Sequence, residues 1–175
     1  PDVIEDCSNI AKKLGFDGML YLASGGHSKD LKAMGFDGWY PYAWGTEGYS
    51  LDLNTNSILS NAKSKNVYHV PTVSVGFNSL PWHRNRYPLM TVEDYKKAHE
   101  FVKTEYLPEY AKEEWQKNFV MLSTWNEYGE GTYIMPSGLN GFGYLDVLRE
   151  AYTDEKADES INNIPDADQR YRINH

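Results

Sequence analysis

Cysteine is almost absent from this chain of 175 residues, since Cys7 is the only one. A single cysteine cannot form an intrachain disulfide, so the fold must be stabilised by a hydrophobic core. Long apolar runs are also missing, because no stretch approaches the roughly 18 consecutive apolar residues that a membrane-spanning helix needs. We therefore predict a globular domain without a membrane span.

Positive charge is scarce as well. The chain has 17 lysines and arginines against 25 aspartates and glutamates, which gives a net charge of −8. A surface of this sign repels the phosphate backbone of nucleic acids and the anionic headgroups of membranes. The composition therefore argues against nucleic acid as a partner and against polybasic docking to a membrane.

Signatures of metal and nucleotide sites are missing too. No G-x-G-x-x-G or Walker pattern follows a predicted strand, which removes the usual nucleotide-binding motifs. The histidines show no metal-ligand spacing. They are His27, His69, His83, His99 and His175. We predict neither a catalytic metal nor a cofactor.

Helical and strand patterns alternate along the chain. Apolar residues at helical spacing predict helices over 2–14, 28–34, 51–64, 91–116 and 142–152. Short apolar runs between them predict strands over 18–23, 39–43, 67–75 and 119–124. This alternation is typical of parallel βαβ units.

Several residues predict local boundaries. The tetrapeptide Gly-Phe-Asp-Gly occurs at 15–18 and again at 35–38, where we expect the first glycine to end a helix before a strand. Pro71 predicts an irregularity in the third strand, and Pro108 predicts a kink or split in the long helix. Thr91 is the expected N-cap of that helix.

Polar or aromatic groups follow each of the four predicted strands. They lie within residues 24–27, 42–49, 78–84 and 125–127. Functional groups at the carboxyl end of every strand are typical of a (β/α)8 barrel of the TIM type. The alternative is an open, doubly wound sheet, which collects such groups at one switch point. The distribution favours the barrel.

Four strands are half of the eight in a complete barrel. We therefore predict that residues 1–152 form the C-terminal half of a (β/α)8 catalytic domain and that residues 153–175 form a polar tail. Half a barrel leaves two sheet edges unpaired. We expect it to be completed by a missing N-terminal half, on the same or a separate chain, or by another copy.

Two glutamates, Glu127 and Glu130, follow the last predicted strand in the stretch FVMLSTWNEYGEGTYI. Glycoside hydrolysis needs two carboxylates, roughly 5 to 9.5 Å apart, beside one glycosidic bond. Residues three apart in a turn can reach that separation. Asn126 is a candidate for binding a sugar hydroxyl or positioning Glu127. Flat faces for the C–H side of a pyranose come from Trp125, Tyr128 and Tyr133. An ordinary solvated loop is the alternative.

The segment WNEYGEGTYI, with FVMLS before it and GFGYLDVLREAY after it, resembles the W-N-E-W-x-E-G-T signature of glycoside hydrolase family 99 and its WbsX-like relatives. The strand HVPTVSVGFN and the Asn-Arg pair at 85–86 resemble the same family, so the similarity extends over 67–152. Tyr128 replaces the usual tryptophan. Gly129 stands where family 99 has histidine and many WbsX-like members have alanine, which favours the wider WbsX-like group.

The resemblance implies a retaining glycoside hydrolase, related to endo-α-mannosidases, on a (β/α)8 barrel. Matched by position, Glu130 corresponds to the general acid/base. Glu127 corresponds to the carboxylate that contacts the 2-hydroxyl, which attacks C1 and forms an anhydro-sugar intermediate. The expected partner is an oligosaccharide or polysaccharide substrate.

Other candidate substrate-binding residues lie in the loops after the strands. With Asn126, Trp125 and Tyr128 they are Trp44, Tyr42, Asn78, Trp82, Arg84 and Arg86. Packing at the barrel end or surface ion pairs are the competing explanations. Two other functions use the same cleft. A WbsX-like glycosyltransferase of polysaccharide synthesis would bind a nucleotide sugar, and a non-catalytic carbohydrate-binding barrel would keep its sugar affinity without Glu130.

Overall fold

The computed structural model describes residues 2–25, 30–42, 49–78, 80, 82 and 87–154, which form a mixed α/β structure. The helices are α1 (Asp2–Lys13), α2 (Leu51–Asn61), α3 (Val92–Phe101), α4 (Leu107–Tyr110), α5 (Glu114–Lys117) and α6 (Gly143–Tyr152). The strands are β1 (Leu22–Ser24), β2 (Gly38–Tyr40), β3 (Tyr68–His69), β4 (Thr72–Ser74), β5 (Met121–Ser123), β6 (Asn126–Glu127) and β7 (Thr132–Tyr133). A π-helix (Val102–Tyr106) joins α3 to α4, and a 3-10 helix (Tyr128–Glu130) joins β6 to β7.

The strands that alternate with helices pair in parallel and in their order along the chain. β1 pairs with β2, and β2 pairs with β3, so that Ala23 lies opposite Trp39 and Trp39 lies opposite His69. β4 pairs with β5, with Val73 opposite Leu122. The predicted parallel pairing is confirmed for these neighbours, although each strand is shorter than predicted.

Pro71 divides the predicted third strand into β3 and β4. Because proline has no N–H, it cannot donate a ladder hydrogen bond, and the chain changes partner here. Before it, Val70 N–H donates to the Trp39 carbonyl at 2.8 Å. The Pro71 carbonyl accepts from Met121 N–H at 3.0 Å. The predicted irregularity is thus confirmed, and one extended segment connects two small sheets.

The hydrophobic core lies between β4 and the helices that pack on it. Val73 and Val75 are fully buried in one cluster with Ile58 of α2 and Tyr95 of α3. Because side chains alternate between the two faces of a strand, Ser74 lies on the face turned away from these helices. The helix layer therefore covers one face of the sheet.

The long helix predicted over 91–116 is divided into pieces. The π-helix comes directly before α4, which contains Pro108. A proline cannot donate the usual helical hydrogen bond, and the change of helix type at this point agrees with the predicted interruption. The helix ends at Ala111, and α5 then begins with a reciprocal capping box between Glu113 and Gln116. The sequence did not predict this second break.

Thr91 caps α3, as predicted, because its side chain accepts a hydrogen bond from Asp94 N–H at 3.1 Å. We expect Thr91→Ala to lower the free energy of unfolding by about 1 kcal/mol, since a first-turn N–H loses its acceptor. Urea unfolding measures the change. Thr91→Ser keeps the oxygen and should recover most of the loss, whereas an alanine variant as stable as the wild type would contradict the capping role.

Both copies of the Gly-Phe-Asp-Gly repeat form turns, as predicted. Gly15 and Gly35 have positive φ angles of 91° and 86°. The N–H of Phe16 donates to the Ala11 carbonyl at 3.1 Å, which closes α1 with the hydrogen bond of a Schellman motif. Each copy of the repeat therefore forms the same kind of local chain reversal.

Two predicted elements differ from the structure. The helix predicted over 28–34 is a turn over 31–35, where a segment this short sustains few helical hydrogen bonds. Residues 28 and 29 lie outside the described residues. The strand predicted over 18–23 begins only at Leu22, because the Asp37 carboxylate accepts the Tyr21 N–H at 2.9 Å. Residues 155–175, most of the predicted tail, also lie outside the described residues.

The apolar stripe predicted on α1 lies largely on the surface. Val3, Ile10 and Leu14 are 75%, 56% and 71% exposed, and Phe16 beside them is 65% exposed. In the described part of the chain, the outer edges of β1 and β5 pair with no strand. A contiguous apolar surface beside an open sheet edge is typical of a place where another segment packs. None of the described helices has the length and apolar character to cross a bilayer.

Two histidines are buried, His69 of β3 with 1% and His99 of α3 with 0% exposure. Tyr106 O–H donates to the His69 carbonyl at 2.8 Å, so its single proton is used. Nδ1–H of His69 therefore donates to the Tyr106 oxygen, 3.0 Å away. His99 Nδ1 lies 2.7 Å from the Tyr152 hydroxyl. Within the described chain, neither Nε2 has a hydrogen-bond partner.

Stability should therefore fall in mild acid. Burial lowers the pKa of both imidazoles to about 3, whereas in the unfolded chain it is about 6.5. Between these values only the unfolded chain takes up the protons. The two histidines together should lower the free energy of unfolding by roughly 3 kcal/mol between pH 7.5 and 5.5. Urea unfolding at both pH values measures this, and His99→Gln should halve the change. Equal stability at both pH values would contradict it.

Candidate active site

A short antiparallel hairpin follows β5 and carries the two glutamates. Its strands β6 and β7 place Asn126 opposite Tyr133 and Glu127 opposite Thr132. The hydroxyl of Thr124 donates to the Thr132 carbonyl and accepts from Glu127 N–H at 3.3 Å. Thr132 is fully buried, and its own hydroxyl donates to the last carbonyl of β5 at 3.1 Å. The hairpin is therefore fixed to the end of β5.

Both carboxylates lie near the carboxyl end of a second strand. Glu127 is exposed at the end of β6, and Glu130 is half-buried at the end of the 3-10 helix. Tyr42 follows β2. Burial raises the pKa of its hydroxyl, and the negative charges of Glu130 and Glu127 raise this pKa further. Because both charges act on one hydroxyl, the structure brings these three predicted site residues together.

The segment after β4 holds the turn that carries Glu130. Asn78 N–H donates to the Glu130 carbonyl at 2.7 Å. The next residue, Gly131, has a left-handed φ of 61°, and a Cβ there would lie 2.7 Å from the Asn78 carbonyl oxygen. The Asn78 side chain accepts from Leu80 N–H at 3.2 Å. Asn78 thus supports the turn, and its predicted contact with the substrate stays a prediction.

Two aromatic side chains on the hairpin are about half exposed. Trp125 and Tyr128 are 53% and 52% exposed. Tyr128 lies 4.9 Å from the ring of Tyr133 at a tilt of 52°. Its O–H donates to the sulfur of Met135 at 3.1 Å. Exposed aromatic rings on the hairpin of two carboxylates can offer apolar contact to a sugar ring.

Trp82, from the loop after β4, lies against the turn that carries Glu130. Its Nε1 is 2.5 Å from the position that a Cβ of Gly129 would take, and the side chain is 70% exposed. The structure therefore brings a further predicted residue next to the turn that carries Glu130.

Other predicted residues lie outside the described part of the chain. These are Trp44, Arg84 and Arg86, and their substrate-binding roles stay predictions. Conversely, the sequence did not predict that Thr124 anchors the hairpin or that Gly129 and Gly131 make close contacts. In the described residues, no group of three or more His, Cys, Asp or Glu side chains is arranged to bind a metal ion.

A protein-family model described as Glycosyltransferase WbsX matches residues 47–148, more than half of the 175-residue chain. The chain belongs to the WbsX family. The match confirms the WbsX-like resemblance and includes the hairpin, both glutamates, Asn78 and Trp82. Membership of this WbsX family indicates a glycan-active protein. Searches of curated proteins and of solved structures found no match to this WbsX-family chain.

Proposed function

We propose that this WbsX-family protein is a retaining glycoside hydrolase of the endo-α-mannosidase type. The observation that supports it is that Glu127 and Glu130 lie three residues apart on one hairpin, and their negative charges both raise the pKa of the Tyr42 hydroxyl. Paired carboxylates suit a reaction that removes one proton and supplies another. The exposed rings of Trp125 and Tyr128 add the apolar faces that a sugar needs.

A (β/α)8 barrel is the architecture that we propose for the whole catalytic domain. Its strands follow one another around the barrel in chain order, and the parallel order of β1, β2, β3, β4 and β5 is compatible with this. Residues 1–152 would be its C-terminal half. The exposed stripe of α1 and the open edge of β1 would then pack against the preceding half, and glycan would also contact loops from there.

In the first step, Glu127 removes the proton of the 2-hydroxyl while that oxygen attacks C1. The bond from C1 to the leaving oxygen breaks, and Glu130 protonates this oxygen. The products are the leaving sugar, whose oxygen is now a hydroxyl, and a 1,2-anhydro sugar. Charge is conserved, because Glu127 gains one proton and Glu130 loses one.

In the second step, water attacks C1 from the side that the leaving group vacated. Glu130, now ionised, takes a proton from the water, and Glu127 returns its proton to the 2-oxygen as the three-membered ring opens. Two inversions at C1 give retention overall. Asn126 lies next to Glu127 on β6 and is proposed to position it or to bind a sugar hydroxyl.

A glycosyltransferase is the second candidate, and the description of the matching family favours it. A transferase would consume a nucleotide sugar and extend an acceptor, whereas a hydrolase needs only the glycan and water.

The two candidates can be separated with isotopically labelled water. The full-length protein is incubated in H₂¹⁸O with α-mannosides and bacterial polysaccharides, with and without nucleotide sugars, and the products are read by mass spectrometry. Hydrolysis places ¹⁸O at the new reducing end without any nucleotide sugar. Products that are extended only when a nucleotide sugar is present would instead establish the transferase. Binding without any product would leave a carbohydrate-binding protein.

A further inference from the structure

Trp82 and Gly129 are in unusually close contact. A Cβ placed on Gly129 would lie 2.5 Å from Nε1 of the Trp82 indole and 3.0 Å from Cε2 and Cζ2. Real Cβ atoms do not approach other atoms to 2.5 Å, so any side chain at position 129 would displace the indole. Glycine here provides the space that the tryptophan occupies.

The backbone does not itself require this glycine. Gly129 lies in the middle of the 3-10 helix and, unlike Gly131, does not have a left-handed φ angle. An alanine could therefore adopt its conformation without backbone strain. In the described residues, the three atoms nearest to such an alanine all belong to Trp82. The need for glycine thus comes from the indole.

The Trp82 indole lies against Gly129 but is otherwise largely exposed. Although it lies on the turn beside Glu130, 70% of the Trp82 surface is exposed. A large apolar ring left this open, next to paired carboxylates, can gain free energy by covering its face with the C–H side of a pyranose. Its position next to the general acid places that pyranose at or beside the bond to be cleaved.

We propose that Trp82 forms the wall of a sugar subsite next to Glu130 and that Gly129 is the positioning residue that leaves room for the indole there. The inference rests on the proposed glycan function, but it concerns binding and not the chemical step. It predicts that changes at positions 82 and 129 act on one interaction.

The experiment is a double-mutant cycle in the full-length Glu130→Gln protein, in which cleavage of a natural glycan should be strongly slowed. Its variants are Trp82→Ala, Gly129→Ala and the two combined. Gly138→Ala is the matched control, because a Cβ there meets no atom of the described residues within 4 Å. Binding of α-mannotetraose and of the panel polysaccharides is measured by calorimetry, and the Trp82 indole N–H is followed by NMR.

We expect Trp82→Ala and Gly129→Ala each to weaken binding by about tenfold, as loss of one aromatic contact implies. The combined variant should bind no more weakly than Trp82→Ala, because the second change has nothing left to displace. Gly129→Ala should shift the Trp82 indole resonance, and Gly138→Ala should change neither binding nor that resonance.

Other outcomes would separate this inference from the proposed function. Additive losses, or glycan binding that leaves the Trp82 resonance unchanged, would overturn the subsite even in a protein that hydrolyses glycans. Non-additive losses in a protein that cleaves no glycan would support the subsite and overturn the hydrolase. If no glycan of the panel is bound or cleaved, both are overturned.

Discussion

Glu130→Gln is expected to slow cleavage of a natural glycan by roughly 100- to 10,000-fold, because general acid–base catalysis is worth that much in rate. Glutamine keeps the size of the side chain but has no proton of suitable acidity to give to the leaving oxygen. Binding of the glycan should be retained, since the hydrogen bond from Asn78 N–H to residue 130 uses the backbone. Released sugars and calorimetry measure the two effects.

An activated substrate separates the two carboxylates. A dinitrophenyl glycoside releases a stable anion that needs no proton, so Glu130→Gln should retain much more activity on it than on a natural glycan. Glu127→Gln should be slow on both substrates, because the 2-hydroxyl still loses its base. Glu105→Gln is the control, because it makes the same chemical change at an exposed position of the π-helix. If Glu130→Gln cleaves the natural glycan at the wild-type rate, the assignment is wrong.

Of the glycine-to-alanine substitutions near the site, we expect Gly131→Ala to lower both stability and activity the most. The left-handed φ of 61° should cost about 1 to 2 kcal/mol for an alanine. The contact with the Asn78 carbonyl, 2.7 Å from the new Cβ, should cost roughly 1 to 3 kcal/mol more, because neither backbone segment can move freely. The displaced turn carries Glu130, so kcat should fall by about 100-fold as well.

Gly25→Ala provides the matched comparison. Gly25 has nearly the same φ, 62°, but a Cβ there meets no described atom within 4 Å. It should show the cost of the left-handed conformation alone, and the difference between the two variants in urea unfolding gives the cost of the contact. Equal losses in both variants would mean that Asn78 does not hold the turn.

The sequence predicts the scaffold where its signal is repeated or chemically distinct. Val73 and Val75 belong to a continuous apolar run, and Pro71 interrupts that run because of its missing N–H, so both the strand and its break were predictable. Glu127 and Glu130 could be singled out because two carboxylates directly after a predicted strand are unusual. Their negative charges act on Tyr42, and their catalytic roles stay predictions.

Other features leave no local signal. The strands β6 and β7 have two residues each, which is too short for any alternation of apolar and polar residues. The contact between Trp82 and Gly129 joins residues 47 positions apart, and nothing near either residue indicates the other. The stripe on α1 has helical spacing, but spacing shows only that a face is apolar and not that the described residues leave it uncovered.

The two contacts between the loop after β4 and the turn after β5 also limit how such proteins can be recombined. Asn78 bonds to the backbone of Glu130, and Trp82 fills the space left by Gly129. The residues that contact the turn of Glu130 therefore come from the preceding β/α unit, and neither unit carries the whole of the proposed site. A chimaera of two WbsX-family chains with a crossover between residues 82 and 129 would join one parent's supporting residues to the other parent's turn. Residues 76–82 and 129–131 have to be inherited as a single module.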